Sequence, residues 1–104
     1  MIVHLVLGKP REDLSAEETA ELEAAIASLG EVRSVMDMTW GPDFSGRGKG
    51  YAYAAVLRFA DRGALQEYQD DALHKQVVET FNRLMPERLI VDYEVGTGAG
   101  GAAN

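Results

Sequence analysis

The chain has 104 residues, 46% of them hydrophobic, which leaves room for one small globular domain and none for a second. Seventeen acidic against ten basic side chains give a net charge of −7, a balance that disfavours nucleic acid as a partner because phosphate binding rests on Lys and Arg displacing counterions. No cysteine is present, so a disulfide framework, a thiolate nucleophile and a zinc knuckle are excluded, and no signal-peptide pattern or apolar run of ~20 residues appears; a cytoplasmic protein without a membrane partner is expected.

Ile2 to Leu7 is apolar apart from His4 and is closed by Gly8 and Pro10; it reads as a strand buried on both faces. Ser15 and Glu18 have the spacing of a capping box, in which each side chain takes up the other residue's backbone amide, so a helix should begin there. Leu22, Ala25, Ile26 and Leu29 recur at helical spacing, with Glu17, Glu21 and Glu23 expected on the solvent face and Gly30 expected to end the helix in the left-handed conformation.

Val32 to Trp40 and Tyr51 to Phe59 alternate loosely between apolar and polar residues and read as two more strands. The glycine-rich stretch from Gly41 to Gly50 joins them as a hairpin-type loop, long enough to serve a function. It is not a phosphate loop, since no Ser or Thr follows Lys49 and no helix starts there. Asp61 is the expected cap of a second helix with Ala64, Leu65 and Tyr68 on one face; Leu73, Val77, Phe81 and Leu84 form a further stripe, ended by Met85-Pro86. Leu89 to Val95 makes the last strand, and the Gly/Ala-rich residues 96–104 are expected to form a flexible tail after a domain over 1–95.

The order β-α-β-β-α-β is the ferredoxin-like arrangement of the α+β class, an antiparallel sheet covered on one face by two helices. Because Val3, Leu5 and Leu7 are apolar opposite Ile2 and Val6, the other sheet face must also be dry, and a second copy is the economical cover. A homodimer is therefore expected.

Several fragments together carry a family resemblance: the opening Met-Ile-Val-His-Leu-Val-Leu, Trp40-Gly41, Gly50-Tyr51, the stretch from Leu65 through Tyr68 to His74, and Val91-Asp92-Tyr93. In this order they resemble the stress-responsive A/B barrel (Dabb) family, and the resemblance runs nearly to Val95. It implies a ferredoxin-like protomer that pairs into a dimeric α+β barrel. One characterised branch, the polyketide cyclases of the olivetolic acid type, closes a ring by aldol chemistry with neither metal nor cofactor. Carried over residue by residue, its two histidines and tyrosine match His4, His74 and Tyr68. The chain departs from that branch before the helix histidine, where Asp71-Ala72 stands in place of His-Pro.

Strand alternation puts His4 on the side of Ile2 and Val6. Tyr68 and His74, six residues apart, would sit ~120° apart on one unbroken helix, so a shared site needs a break at Asp70-Asp71, both good capping residues. Such a site would hold one base near neutrality and one donor for a developing oxyanion, as ring closure of a small hydrophobic carbonyl compound requires. Ile2, Val6, Val77 and Phe81 are the expected apolar walls. Trp40, Tyr51 and Tyr53 are read as further pocket wall or as dimer core. Asp92 has the chemistry to orient an imidazole, although a strand-edge carboxylate in water or paired with an Arg is the preferred account of it. His4, His74 and Asp92 lack the spacing of a metal site, and no cofactor is expected. Three functions from different classes follow: a cofactor-free enzyme or small-molecule binder, a non-catalytic stress-response assembly protein, and a cofactor-independent monooxygenase, which Trp40 alone invites.

Overall fold

The computed structural model describes residues 1–96; the predicted tail lies, from residue 97 onward, outside them. Strand β1 (Ile2–Lys9) is followed by helix α1 (Ala16–Ser28), strands β2 (Asp37–Pro42) and β3 (Tyr53–Phe59), helices α2 (Arg62–Asp70) and α3 (Ala72–Leu84), and strand β4 (Glu87–Glu94). The four strands form one antiparallel sheet in the order β2-β3-β1-β4, so the topology is ferredoxin-like, with the second helix of the motif divided in two. The sheet is open. Among the described residues no helix is long and apolar enough to cross a membrane.

The central position of β1 follows from its composition, since only a strand with neighbours on both edges can bury so many apolar residues. His4 pairs with Leu57 on one side and Asp92 on the other, and Leu5 pairs with Val56 and Val91. One residue of slip would exchange the two faces. Ile2 and His4 of β1, Tyr53, Ala55, Leu57 and Phe59 of β3, and Leu22, Ile26, Tyr68, Val77, Phe81 and Leu84 of the helices are buried on the helix-covered side. At the far end of that side the chain passes so close that Gly8 has no room for a Cβ beside the Met85 side chain, and Met85 is itself buried.

The Ser15 hydroxyl accepts from the Glu18 amide and the Glu18 carboxylate accepts from the Ser15 amide, each at 3.0 Å, so the capping box forms as expected. Three local readings are corrected. Gly30 does not adopt a left-handed conformation; Leu29 continues in the right-handed region and a 3₁₀ turn, Leu29–Glu31, ends the helix. Helix-like i→i+3 bonding satisfies the terminal carbonyls there without a left-handed residue. Val32 to Met36 is not strand: Val35 donates to the Val32 carbonyl in a turn at 3.0 Å, and β2 begins only at Asp37. Glu23, expected in water, is half-buried and accepts a 2.6 Å bond from the Tyr53 hydroxyl, while burial and this partner together push the phenol up to about 12.

The other sheet face has no cover within the described chain. Val3, Leu5 and Leu7 align there with Leu89, Val91 and Tyr93 of β4. The three β4 side chains are each half-exposed or more. The prediction of a strand dry on both faces thus holds within one chain for Ile2, Val3 and His4, whereas Val6 on the helix side and Leu5 and Leu7 on the other are only half-buried.

Candidate functional site

The break predicted at Asp70-Asp71 is present. Asp71 is extended, ends α2 and caps α3 by accepting from the Leu73 amide at 2.8 Å. Asp61 caps α2 in the same way through the Ala64 amide at 2.8 Å. Starting a new helix one residue after Asp71 resets the angular position of His74, and its ring comes to lie 4.4 Å from that of Tyr68, centroid to centroid. On its other side Tyr68 meets the His4 ring at 5.7 Å, edge to face, with Phe59 at 5.1 Å completing the cage. His4, Tyr68 and His74 therefore converge on one another from three elements, with the phenol ring between the two imidazoles.

The imidazoles are held in one tautomer by acceptors that cannot donate. His4 Nδ1 is hydrogen-bonded to the Asp92 carboxylate, so Nδ1 carries the proton and Nε2 keeps the free lone pair when the ring is neutral. His74 Nδ1 lies 3.2 Å from the Gln69 carbonyl oxygen, with the same consequence. The His4–Asp92 contact corrects the preferred account of Asp92 as a carboxylate in water or on an Arg. Direct pairing of β1 with β4 sets His4 opposite Asp92, and a buried imidazole has to find a partner.

Burial differs along the row. His4 is 4% exposed and Tyr68 1%, while His74 is half-buried. Burial, followed by the Asp92 charge, pushes the Tyr68 hydroxyl well above its ordinary value, so it stays a protonated donor throughout the neutral range. That hydroxyl has no hydrogen-bond partner among the described residues. His74 is lowered from 6.5, chiefly by burial and also by the nearby His4, against the opposing pull of the Gln69 carbonyl and the Asp71 charge. At pH 7 it is a neutral base.

Beside these rings a cleft of about 370 Å³ opens between α2 and the ends of β1 and β4. Ile2 and Leu65 give it apolar wall, and Gln66, Gln69 and Asp92 give it polar groups. Two of its lining residues thus hold the two imidazoles: Asp92 holds His4, and Gln69 holds His74. Arg62 and Glu94 also line it and bridge it with a 3.1 Å ion pair.

The remaining predicted wall residues stand elsewhere. Val6 and Phe81 border a separate apolar space with Met85, too small for a ligand, because Phe81 is itself part of the close-packed core. Val77 is core packing. Trp40 lies against Tyr53, rings 6.3 Å apart, and Tyr51 lies under the Lys9 ammonium at 4.9 Å. Tyr51 and Tyr53 line a different cleft at the loop end of β3. Sequence reasoning missed Arg62, Leu65, Gln66, Gln69, Tyr93 and Glu94 as lining. The recurrence of Arg62, Leu65, Gln66 and Gln69 at i, i+3, i+4 and i+7 marks one helix face and was the available signal. Among the described residues no group of three or more His, Cys, Asp or Glu side chains is placed to hold a metal ion.

The fold has many counterparts. A crystal structure of an Arabidopsis thaliana protein is 22% identical, covers 94% of this chain and 98% of its own, and superposes with a TM-score of 0.78. A hydroxynitrile lyase from Passiflora edulis is 15% identical over 93% of this chain and 94% of its own, with a TM-score of 0.81. A dimeric ferredoxin-like protein of unknown function from Thermobifida fusca is 17% identical over 88% of each chain, at 0.76. At these identities the likeness is one of fold. Among curated proteins none matches the sequence. The model of the stress responsive A/B barrel domain, Dabb, matches residues 2–95, and the chain belongs to that family.

Proposed function

We propose that this protein is a homodimeric A/B barrel, closed by two copies that pair their open sheet faces, and that each protomer carries out cofactor-free acid–base chemistry on a small hydrophobic carbonyl compound. The carrying observation is that the two residues that fix the histidines, Asp92 and Gln69, both line one cleft. Neutral His74, the most accessible of the three rings, takes the proton alpha to a carbonyl on Nε2, and the electron pair moves onto the carbonyl oxygen as an enolate. The Tyr68 hydroxyl donates to that oxyanion. In an aldol closure the enolate carbon then bonds to a second carbonyl carbon, and the new alkoxide takes back the proton held by His74. The reverse sequence breaks a carbon–carbon bond, the direction of a lyase, and the Passiflora edulis protein of the same fold is named for lyase chemistry. Asp92 acts as a positioning residue through His4, whose ring packs edge to face against Tyr68 and holds it in place.

Purified protein assayed against a linear 1,3-diketone series and an aromatic cyanohydrin tests this. Turnover should fall at least about a hundredfold in His74→Ala and in His4→Ala, with circular dichroism and sedimentation unchanged. No turnover of any compound by the wild type, or turnover indifferent to His74, overturns the acid–base reading. The second reading, a non-catalytic stress-response assembly protein, then stands; it draws on the exposed apolar face of β4. A monooxygenase role draws less support, because Trp40 packs against Tyr53 and takes no part in the cluster of His4, Tyr68 and His74.

A further inference from the structure

The loop between β2 and β3 takes no part in the site above, yet it is firmly built. The Asp43 carboxylate accepts from the Ser45 amide at 3.0 Å and from the Ser45 hydroxyl at 2.7 Å, and that hydroxyl accepts from the Arg47 amide at 3.0 Å. Gly46, Lys49 and Gly50 adopt left-handed φ values that turn the loop, and the Ala52 amide ties the loop's end to the Gly8 carbonyl at 2.9 Å. This scaffold holds Phe44 wholly in water, the most exposed large apolar side chain among the described residues. Phe44 borders a cleft of about 360 Å³ whose other walls include Leu7, Gly41 and Ala54. Those three belong to the open face of the sheet by register, so Phe44 extends that face beyond its rim.

We infer that Phe44 is an anchor of the dimer, held out by its loop to be buried against a second copy of this chain. The inference rests on the sheet-face pairing proposed above and names a residue outside the sheet on which it depends. Continuity with the open face argues for a second copy as the occupant. Charge argues the same way: Arg47 and Lys49, on the same loop, form no ion pair among the described residues, and the chain they would meet carries −7. Because the loop is already ordered, docking it costs little further conformational entropy.

Sedimentation equilibrium of the wild type and of Phe44→Ser decides the matter. Phe44 is fully exposed within its own chain, so the variant should keep the wild-type circular dichroism spectrum. Each dimer loses two buried rings, and the dissociation constant should rise by roughly a hundredfold. A dimeric wild type with an unchanged constant in Phe44→Ser overturns this inference and leaves the sheet pairing intact. A monomeric wild type overturns the pairing itself, and the inference with it. If neither protein dissociates on dilution, exchange between fluorescently labelled subunits reads the same difference: at least about tenfold faster exchange in the variant is expected, and equal rates overturn the anchor. Arg47→Glu combined with Lys49→Glu should slow association, and an unchanged rate removes the electrostatic half of the proposal.

Discussion

The two faces of β1 are built from alternate residues of the same eight-residue strand and have opposite fates. Ile2 and His4 are sealed under helices, and the polar group among them is hydrogen-bonded through Nδ1 to Asp92. Leu5 and Leu7, equally apolar or more so, remain half-exposed beside the exposed Leu89, Val91 and Tyr93. Apolarity alone therefore does not tell which face of a strand its own chain completes. The covered face is the one opposite the connecting helices, and a sheet flanked by helices on one side must find its second layer elsewhere.

The largest effect expected from breaking this contrast comes from the same substitution made on each face. Leu57→Asp would set an unpaired charge among fully buried residues, a cost of several kcal/mol against a total stability of about 5–15 kcal/mol for a domain. Urea denaturation should find it largely unfolded. Leu5→Asp should instead leave the protomer folded and abolish dimer formation in sedimentation. Equal unfolding by both would show that the two faces belong to one cooperative unit even in the protomer.

A smaller effect falls on the helix break that delivers His74 to the covered face. Asp71→Ala removes the cap on the Leu73 amide, at about 1 kcal/mol, and should lower the thermal midpoint by about 4–8 °C. It also removes a charge that raises the His74 pKa, so NMR titration should find that ring lower still. Asp71→Asn, which keeps an acceptor for the cap and loses the charge, should reproduce the titration change with most of the stability retained. A variant with unchanged His74 titration would separate the break from the electrostatics of the site.

The smallest effect is the pH dependence that the covered face imposes. His74 is lowered in the folded protein relative to 6.5, so below pH 6.5 the unfolded chain binds the greater share of the proton. Stability is then complete above pH 6.5 and declines as pH falls through the lowered folded value. The urea midpoint should drop on acidification just below pH 6.5, and His74→Gln should flatten that part of the profile. A drop of the same size in His74→Gln would assign it to other groups.

Much of this was legible in the chain itself, for local reasons. The capping box at Ser15 and Glu18, the caps at Asp61 and Asp71, and the periodicities of α1, α2 and α3 involve residues within one or two turns of each other, and the β-α-β-β-α-β order follows from them. The need for a break between Tyr68 and His74 was likewise a matter of helical angle. One reading failed because a residue's neighbour is distant in sequence, Glu23 facing Tyr53 rather than water; another failed locally, where two short-range endings compete and Gly30 continues into a 3₁₀ turn rather than turning left-handed.

The tertiary structure alone decided what surrounds the three rings. Asp92 is 88 residues from His4, and only the register of β4 against β1 brings them opposite. The same pairing, with α2 laid across it, puts the cleft beside Ile2, Gln66 and Gln69 rather than beside Trp40, Tyr51 and Tyr53. Residue type and spacing carry chemistry and local geometry, since side-chain donors, caps and helical phase act over a few residues. Which strand edge meets which, and hence which acceptor fixes an imidazole, depends on long-range pairing that no local pattern encodes.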